Sequence, residues 1–213
     1  MTADRNNLLF TLLAASVALL AGVAGYSLWK LSHEEGETRS SETLLVLPEP
    51  RVLGDFQLLD QDGADFTLER LRGEWSLLFF GFTYCPDICP STLYDLQQVR
   101  QTLLGEGVPA EGLQVVFVSV DPERDSPARL KEYVSYFDPD FLGVTGDPAQ
   151  LKPLALRLGV AFRIEDHEQG AENYSVDHSA SVFLTDPQGR LYGVFPAPHD
   201  AAAMARDVAA VID

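Results

Sequence analysis

The only two cysteines of the chain, Cys85 and Cys89, lie in one short segment, residues 81–90, with the sequence GFTYCPDICP. A spacing of four places both sulfur atoms on the same side of a helical turn. A disulfide between them would close almost no loop, so it would add little chain-entropy stabilisation. The pair is therefore expected to do chemistry, either as a redox-active dithiol or as two thiolate ligands of one metal ion.

The cysteine segment is expected to follow a buried strand and to open a helix. Residues 75–82 form a continuous apolar run of strand length, as in a central strand covered on both faces. Apolar residues recur every three or four positions over residues 90–104, which predicts a helix there. The free N–H groups and the dipole at its start would stabilise thiolates. Three residues separate the cysteines where thioredoxin-type exchange enzymes have two, and the wider spacing suits two sulfurs that hold a metal.

His178 is the best candidate for the third ligand that a soft ion held by two thiolates would require. It precedes an apolar strand predicted over residues 179–185, so its ring is expected at the edge of a sheet. A lone histidine in such a place is more often a polar residue of the rim, and the residues alone leave both interpretations open. The other histidines are weaker candidates, in a linker, an acidic loop and the approach to the last helix: His33, His167 and His199.

Two thiolates and one imidazole select Cu(I) or Zn(II) and exclude hard ions such as Mg(II) and Ca(II). Zinc would require a fourth ligand, whereas a three-coordinate site is suited to Cu(I) and also accommodates Cu(II). Asp121 and Asp125 follow a second buried strand, residues 115–120, on the same rim. They could supply an outer ligand or a docking surface. They are also explained as solvated carboxylates around the start of a helix.

The rest of the pattern predicts a mixed α/β domain. Its signals are a hairpin over residues 56–68, two helices opened by Ser126-Pro127 and Asp147-Pro148, a hairpin around residues 186–189, and a final helix over residues 200–212. A helix between the two buried strands makes those strands parallel. This order predicts a thioredoxin-like three-layer α/β sandwich, in which the loop of His178 lies beside the cysteine turn.

Residues 8–28 contain no charged side chain. A spanning helix needs about 20 such residues, whereas the apolar core of a secretory signal has roughly 7–15. A single N-terminal transmembrane helix is therefore predicted, with a cleaved signal as the alternative. The predicted organisation is a membrane anchor (1–31), a polar linker (32–49) and a folded domain (50–213). No Arg- and Ser-rich transit peptide precedes the apolar run, which favours a bacterial setting.

The chain is strongly acidic. Its 32 acidic and 15 basic residues give a formal net charge of −17. Such a surface repels phosphate backbones, which argues against nucleic-acid binding. It suits a partner with a basic face, although solubility alone also explains it.

Three segments together resemble the Sco/SenC family of copper proteins. They are the cysteine motif with its Thr83-Tyr84 lead-in, the sequence VDPERD at 120–125, and VDHS at 176–179 followed by DPQG at 186–189. The resemblance extends over roughly residues 53–212, and an N-terminal anchor matches the layout of the family. It implies a thioredoxin-like domain that faces the periplasm from the bacterial inner membrane. It also implies copper binding, as Cu(I) or Cu(II), by residues corresponding to Cys85, Cys89 and His178.

The resemblance further implies a role in assembling the binuclear copper centre in subunit II of cytochrome c oxidase. The expected function is a membrane-anchored copper metallochaperone with that subunit as partner. Another periplasmic copper chaperone or a thiol–disulfide reductase is a further candidate partner. Two alternatives remain: a thiol–disulfide reductase in which Cys85 and Cys89 are the redox-active pair, and a copper or redox sensor. A peroxiredoxin is disfavoured because its Pro-x-x-x-Thr-x-x-Cys pattern is missing.

Overall fold

A computed structural model describes residues 19–26, 41–109, 112–168, 170–171 and 173–212. The chain divides into two compact units, residues 1–40 and residues 41–213. In the first unit, residues 19–26 are helical. Among the described residues, no helix combines the length and the apolar character that crossing a membrane requires. The rest of the predicted anchor, and the linker up to residue 40, lie outside the described residues.

The second unit contains four α-helices and two β-sheets within its described residues. The helices are α1 (Ile88–Gly105), α2 (Pro127–Phe137), α3 (Pro148–Leu158) and α4 (Ala201–Ile212), and a short 3-10 helix covers Leu68–Leu71. The strands are β1 (Leu45–Val52), β2 (Gln57–Asp60), β3 (Asp65–Thr67), β4 (Trp75–Gly81), β5 (Leu113–Ser119), β6 (Leu142–Thr145), β7 (Phe162–Ile164), β8 (Val176–His178), β9 (Val182–Thr185) and β10 (Arg190–Phe195). Eight strands form one sheet in the order β1-β10-β9-β4-β5-β6-β2-β3, and β7 pairs with β8 in a separate sheet.

The centre of the large sheet is β4, which is parallel to β5 and antiparallel to β9. Because side chains alternate along a strand, Leu77 and Phe79 enter the core that includes residues of α1, α2 and α4, whereas Leu78 and Phe80 enter the core on the other face, with α3. All four side chains are fully buried. The sheet is therefore covered by helices on both faces, which confirms the three-layer arrangement.

The starts of α2 and α3 were predicted from their capping residues. The Ser126 side chain accepts a hydrogen bond from the Arg129 N–H, and the Asp147 carboxylate accepts one from the Ala149 N–H. The start of α1 was placed two residues too late, at Pro90. The helix begins at Ile88, because a proline in the first turn removes an N–H that has no partner within the helix. Cys89 consequently lies inside the first turn.

The predicted linker is too long, because residues 45–49 belong to β1 at the edge of the sheet. The start of this strand is fixed by Asp207 of α4, whose carboxylate accepts hydrogen bonds from the backbone N–H groups of Glu42, Thr43 and Leu44. Leu44 is buried against α4. The folded domain therefore begins before residue 50.

The hairpin of β7 and β8 was not predicted. It pairs Phe162 with His178 and Ile164 with Val176, and it stands apart from the large sheet. We call residues 162–178 the histidine hairpin, because His178 is its last residue.

Candidate metal centre

Both cysteines lie where β4 ends and α1 begins. We call residues 82–89 the cysteine loop. Cys85 N–H donates to the Phe82 carbonyl at 3.2 Å, which turns the chain toward α1. Cys89 is fully buried and Cys85 is half-buried, and both are free thiols.

Gly81, the last residue of β4, makes room for the buried sulfur. A Cβ atom at this position would lie 2.6 Å from Cys89 Sγ and 2.8 Å from Cε2 of Phe117. Side chains essentially never approach so closely in a packed core. Cys89 Sγ can therefore occupy its position only because residue 81 has no side chain.

The cysteine loop is also held by a buried carboxylate. Asp125 is fully buried and accepts hydrogen bonds from Thr83 N–H at 2.9 Å, from the Thr83 hydroxyl at 2.6 Å and from the Ser119 hydroxyl at 2.6 Å. Burial raises the pKa of Asp125, and these donors oppose the increase. Its side chain thus links the end of β5 to the residues that precede Cys85.

The interpretation of Asp121 and Asp125 as solvated carboxylates was wrong, because both are buried. Among the described residues, the one cluster of potential ligand atoms does not include either of them. Their oxygen atoms accept hydrogen bonds from neighbouring side chains and from backbone N–H groups instead. Sequence reasoning could not distinguish the two cases, since burial of a carboxylate depends on partners distant in the chain.

His178 lies against the cysteine loop, with its Nε2 3.3 Å from Cys89 Sγ. Its Nδ1 lies 3.0 Å from the Ser179 carbonyl oxygen. A carbonyl can only accept, so Nδ1 carries the proton of the neutral ring and Nε2 presents its lone pair to the sulfur. Burial lowers the pKa of His178, which favours the neutral form that binds metals. The rings of Phe79 and Phe82 contact the imidazole edge to face.

The three predicted ligand residues come together. One ligand atom from each of Cys85, Cys89 and His178 lies within 4.8 Å of the other two, and this is the one such cluster of histidine, cysteine or acidic groups found in the described part of the chain. Cys85 and His178 line an open cavity of about 440 Å³ together with Phe82, Tyr84 and Ile88, whereas Cys89 lies buried behind them. A small ion could therefore reach the ligand atoms from solvent.

The expectation that the helix start stabilises a thiolate fails for Cys89. Burial raises the pKa of the Cys89 thiol, the neighbouring Cys85 raises it further, and a hydrogen bond to the Phe82 backbone lowers it only partly. Desolvation is the largest of these effects. Cys89 is therefore a neutral thiol in the absence of a cation, and a bound soft cation would displace its proton.

The other histidines do not join this cluster. His167 contacts Glu123 and stacks on Tyr174. His199 is half-buried, and burial lowers its pKa against the opposing effect of the Asp95 charge. His33 lies outside the described residues. Two residues beside the site, Arg124 and Tyr174, were not predicted as part of it. Arg124 lies within the VDPERD segment that carries part of the family resemblance, so this segment was a signal for it. The sequence around Tyr174 contains no feature that distinguishes this residue.

Comparison with known proteins matches residues 47–213 to the SCO1/SenC family. An SCO2-like protein of Rickettsia conorii is 33% identical over 174 residues, which are 82% of this chain and 83% of that protein. The crystal structure of yeast Sco1 with copper bound is 36% identical, with a TM-score of 0.70 over 76% of this chain and 88% of the other. Copper-bound ScoI of Bradyrhizobium japonicum is 35% identical, with a TM-score of 0.65 over 75% and 98% of the two chains. These similarities confirm the mixed α/β, thioredoxin-like fold. The chain belongs to the SCO1/SenC family.

Proposed function

We propose that this protein is a copper metallochaperone that binds one copper ion through Cys85, Cys89 and His178. The observation that carries the proposal is the convergence of the three ligand atoms within 4.8 Å. Two sulfurs and one imidazole nitrogen form a soft, three-coordinate donor set that suits Cu(I) and accepts Cu(II). The copper-bound structures of two relatives support the choice of metal.

The proposed recipient is the binuclear copper centre in subunit II of cytochrome c oxidase, as the family resemblance implies. Copper would pass to it by ligand exchange, with sulfur or nitrogen atoms of the recipient replacing those of this chain one at a time. The open cavity beside Cys85 and His178 supports this route, because a partner's ligand can approach the ion from that side. Another periplasmic copper chaperone or a thiol–disulfide reductase would supply copper or reduce the cysteines beforehand.

The proposed location is the bacterial inner membrane, with residues 8–28 as a single-pass anchor and the folded domain in the periplasm. The uncharged run in the sequence supports it. Alkaline extraction of membranes tests the anchor, and protease treatment of spheroplasts tests the side. Release of the intact chain by alkali would contradict anchoring.

The metal site is tested by copper analysis of the reduced full chain after anaerobic exposure to Cu(I). Wild type should bind one copper per chain, and Cys85→Ala, Cys89→Ala and His178→Ala should each bind much less, because each removes one of three ligands. His33→Ala is the matched control, since it removes a histidine that precedes the folded domain. Unchanged binding in the three ligand variants would overturn the proposal.

The second candidate function is a thiol–disulfide reductase, favoured by the unequal exposure of the two free thiols. The Cys85 thiolate would attack a disulfide of the partner and form a mixed disulfide, releasing one partner thiolate. The Cys89 thiolate would then attack Cys85 Sγ, which releases the second partner thiolate and leaves a Cys85–Cys89 disulfide. The raised pKa of Cys89 slows the second step. Disulfide reduction that persists in His178→Ala while copper binding is lost would favour this function over the chaperone.

A further inference from the structure

The position of His178 depends on what attaches the histidine hairpin to the rest of the domain. Strands β7 and β8 have three residues each, and Val176 is their one buried residue. Among its described residues the hairpin forms no ladder with the large sheet, although Val176 and Tyr174 belong to one of the two cores. Backbone pairing within the hairpin therefore cannot by itself hold His178 at the cysteines.

Arg124, on the loop after β5, supplies such an attachment. Its guanidinium lies 3.5 Å from the centroid of the Tyr174 ring, and its Nη1 donates to the Tyr174 carbonyl at 3.1 Å. Its Nε donates to Asp121, and the Tyr174 hydroxyl donates to the other oxygen of the same carboxylate at 2.6 Å. The side chains of Arg124 and Asp121 are 7% and 1% exposed. Ring, carbonyl and hydroxyl of one hairpin residue are thus bound to one buried ion pair.

The same guanidinium faces the cysteine loop. It lies 5.0 Å from the centroid of the Tyr84 ring and 5.5 Å from that of Phe82. Tyr84 directly precedes Cys85, and the Phe82 ring contacts the imidazole of His178. One cation therefore sits among three aromatic rings that come from both segments supplying the ligands.

The Tyr174 ring is held from its other side as well. His167 stacks on it with centroids 3.6 Å apart and planes 6° from parallel. Two groups at such distances cannot occupy the same face, so the guanidinium and the imidazole enclose the ring between them. His167 also contacts Glu123 at 2.9 Å, and Glu123 accepts from Gly170 N–H at 2.8 Å.

We propose that Arg124 is a positioning residue, which holds the histidine hairpin against the cysteine loop and so sets the contribution of His178 to metal binding. This inference rests on the proposed copper site. A lysine at this position would keep the charge beside Asp121. It could not at once stack on Tyr174 and donate to both the carboxylate and the carbonyl, because those contacts need the planar fork of arginine.

A double-mutant cycle tests the coupling. Cu(I) affinity is measured by competition with a chromophoric chelator for wild type, Arg124→Lys, His178→Ala and the double variant. Arg124→Lys should lower the affinity about tenfold where His178 is present, the smaller of the effects usual for residues that orient metal ligands. It should change the affinity less than twofold where His178 is already absent. An equal loss in both backgrounds, or no loss in either, would overturn the proposal.

Arg129→Lys is the matched control. Arg129 lies 5.6 Å from the Tyr84 ring centroid and donates to the Thr83 hydroxyl, so it contacts the cysteine loop, and no contact of the described residues joins it to the histidine hairpin. Its replacement should affect both backgrounds of the cycle alike. Coupling to His178 as strong as that of Arg124 would show that any arginine near the loop has the effect.

Amide hydrogen exchange of the metal-free chain gives a second readout. Arg124→Lys should raise exchange across the histidine hairpin about tenfold, because the hairpin loses the hydrogen bond and the stacking at Tyr174. Exchange in β4 and β5 should not change, because their backbone pairing in the sheet stays intact. Unchanged exchange in the hairpin would overturn the proposal whatever the metal data show. A different result would contradict the proposed function and not the attachment: faster exchange in the hairpin of Arg124→Lys, with copper affinity that is the same in wild type and His178→Ala. Arg124 would then hold the hairpin, but His178 would not be a copper ligand.

Discussion

The cysteine loop and the histidine hairpin supply the ligands of one site but are held by different means. The cysteine loop lies between a central strand and a long helix, its Cys89 is fully buried, and Asp125 binds it from inside the core. The histidine hairpin packs on the core through Val176 and Tyr174. The rest of its attachment is polar or aromatic: an ion pair, hydrogen bonds and stacked rings. Substitutions that disrupt the cysteine loop should therefore lower the free energy of unfolding of the whole domain. Substitutions that disrupt the attachment of the histidine hairpin should mainly loosen the hairpin and lower the metal affinity.

The largest stability effect is expected from Asp125→Ala. The change leaves Thr83 N–H and two buried hydroxyl groups without an acceptor, and each unsatisfied group costs about 1–3 kcal/mol. Urea denaturation should show a loss of at least about 3 kcal/mol. Asp62→Ala, which removes an exposed carboxylate paired with Lys131, should cost less than about 1 kcal/mol. A loss from Asp125→Ala as small as that of the control would erase the distinction between the two regions.

A smaller loss is expected from Gly81→Ala. The new methyl group would collide with Cys89 Sγ and with Phe117, and overpacking of this kind costs about 1–3 kcal/mol. Copper binding should weaken as well, because Sγ must move. Denaturation and copper titration measure the two effects.

Gly105→Ala is the control for the collision. A Cβ atom there has no neighbour within 4 Å, and the residue ends α1. Alanine should be neutral or slightly stabilising at this position. If both variants behave alike, the cysteine loop has more room than its packing indicates.

The smallest expected effect is a pH dependence in the stability of the histidine hairpin, which the cysteine loop should not share. Hydrogen bonds to the Glu165 carbonyl and to Glu123 raise the pKa of His167. Because folding raises this pKa, the hydrogen bonds of the charged imidazole stabilise the folded hairpin fully when the pH is below the unfolded-state pKa of about 6.5. This stabilisation is lost as the pH rises through the folded-state pKa. Protection factors of the hairpin amides should therefore fall as pH rises above about 6.5, while those of β4 stay constant. His167→Gln should remove this pH dependence, and its persistence would assign it to another group.

The core of the site was predictable because its signals are local. The apolar run of β4, the four-residue spacing of Cys85 and Cys89, and the capping residues of α2 and α3 each act within a few positions. The histidine hairpin escaped prediction because its sequence is polar and acidic, and its attachment depends on Arg124, 50 residues away from Tyr174. The thiol pKa of Cys89 was misjudged for a related reason, since the helix start is visible in the sequence but the depth of burial is not.

The first strand of the domain bears on how copies of the chain meet one another. Within the described part of the chain, strand β1 pairs with β10 alone, so its outer side is an edge of the sheet, with Leu45 and Val46 exposed. Pro48 and Pro50 lie within it, and its register with β10 shifts between Val46 and Arg51. Prolines provide no N–H and an irregular edge offers no continuous template, so growth of the sheet from one molecule into the next is disfavoured. An acidic chain with such an edge is protected against strand-mediated aggregation at high concentration.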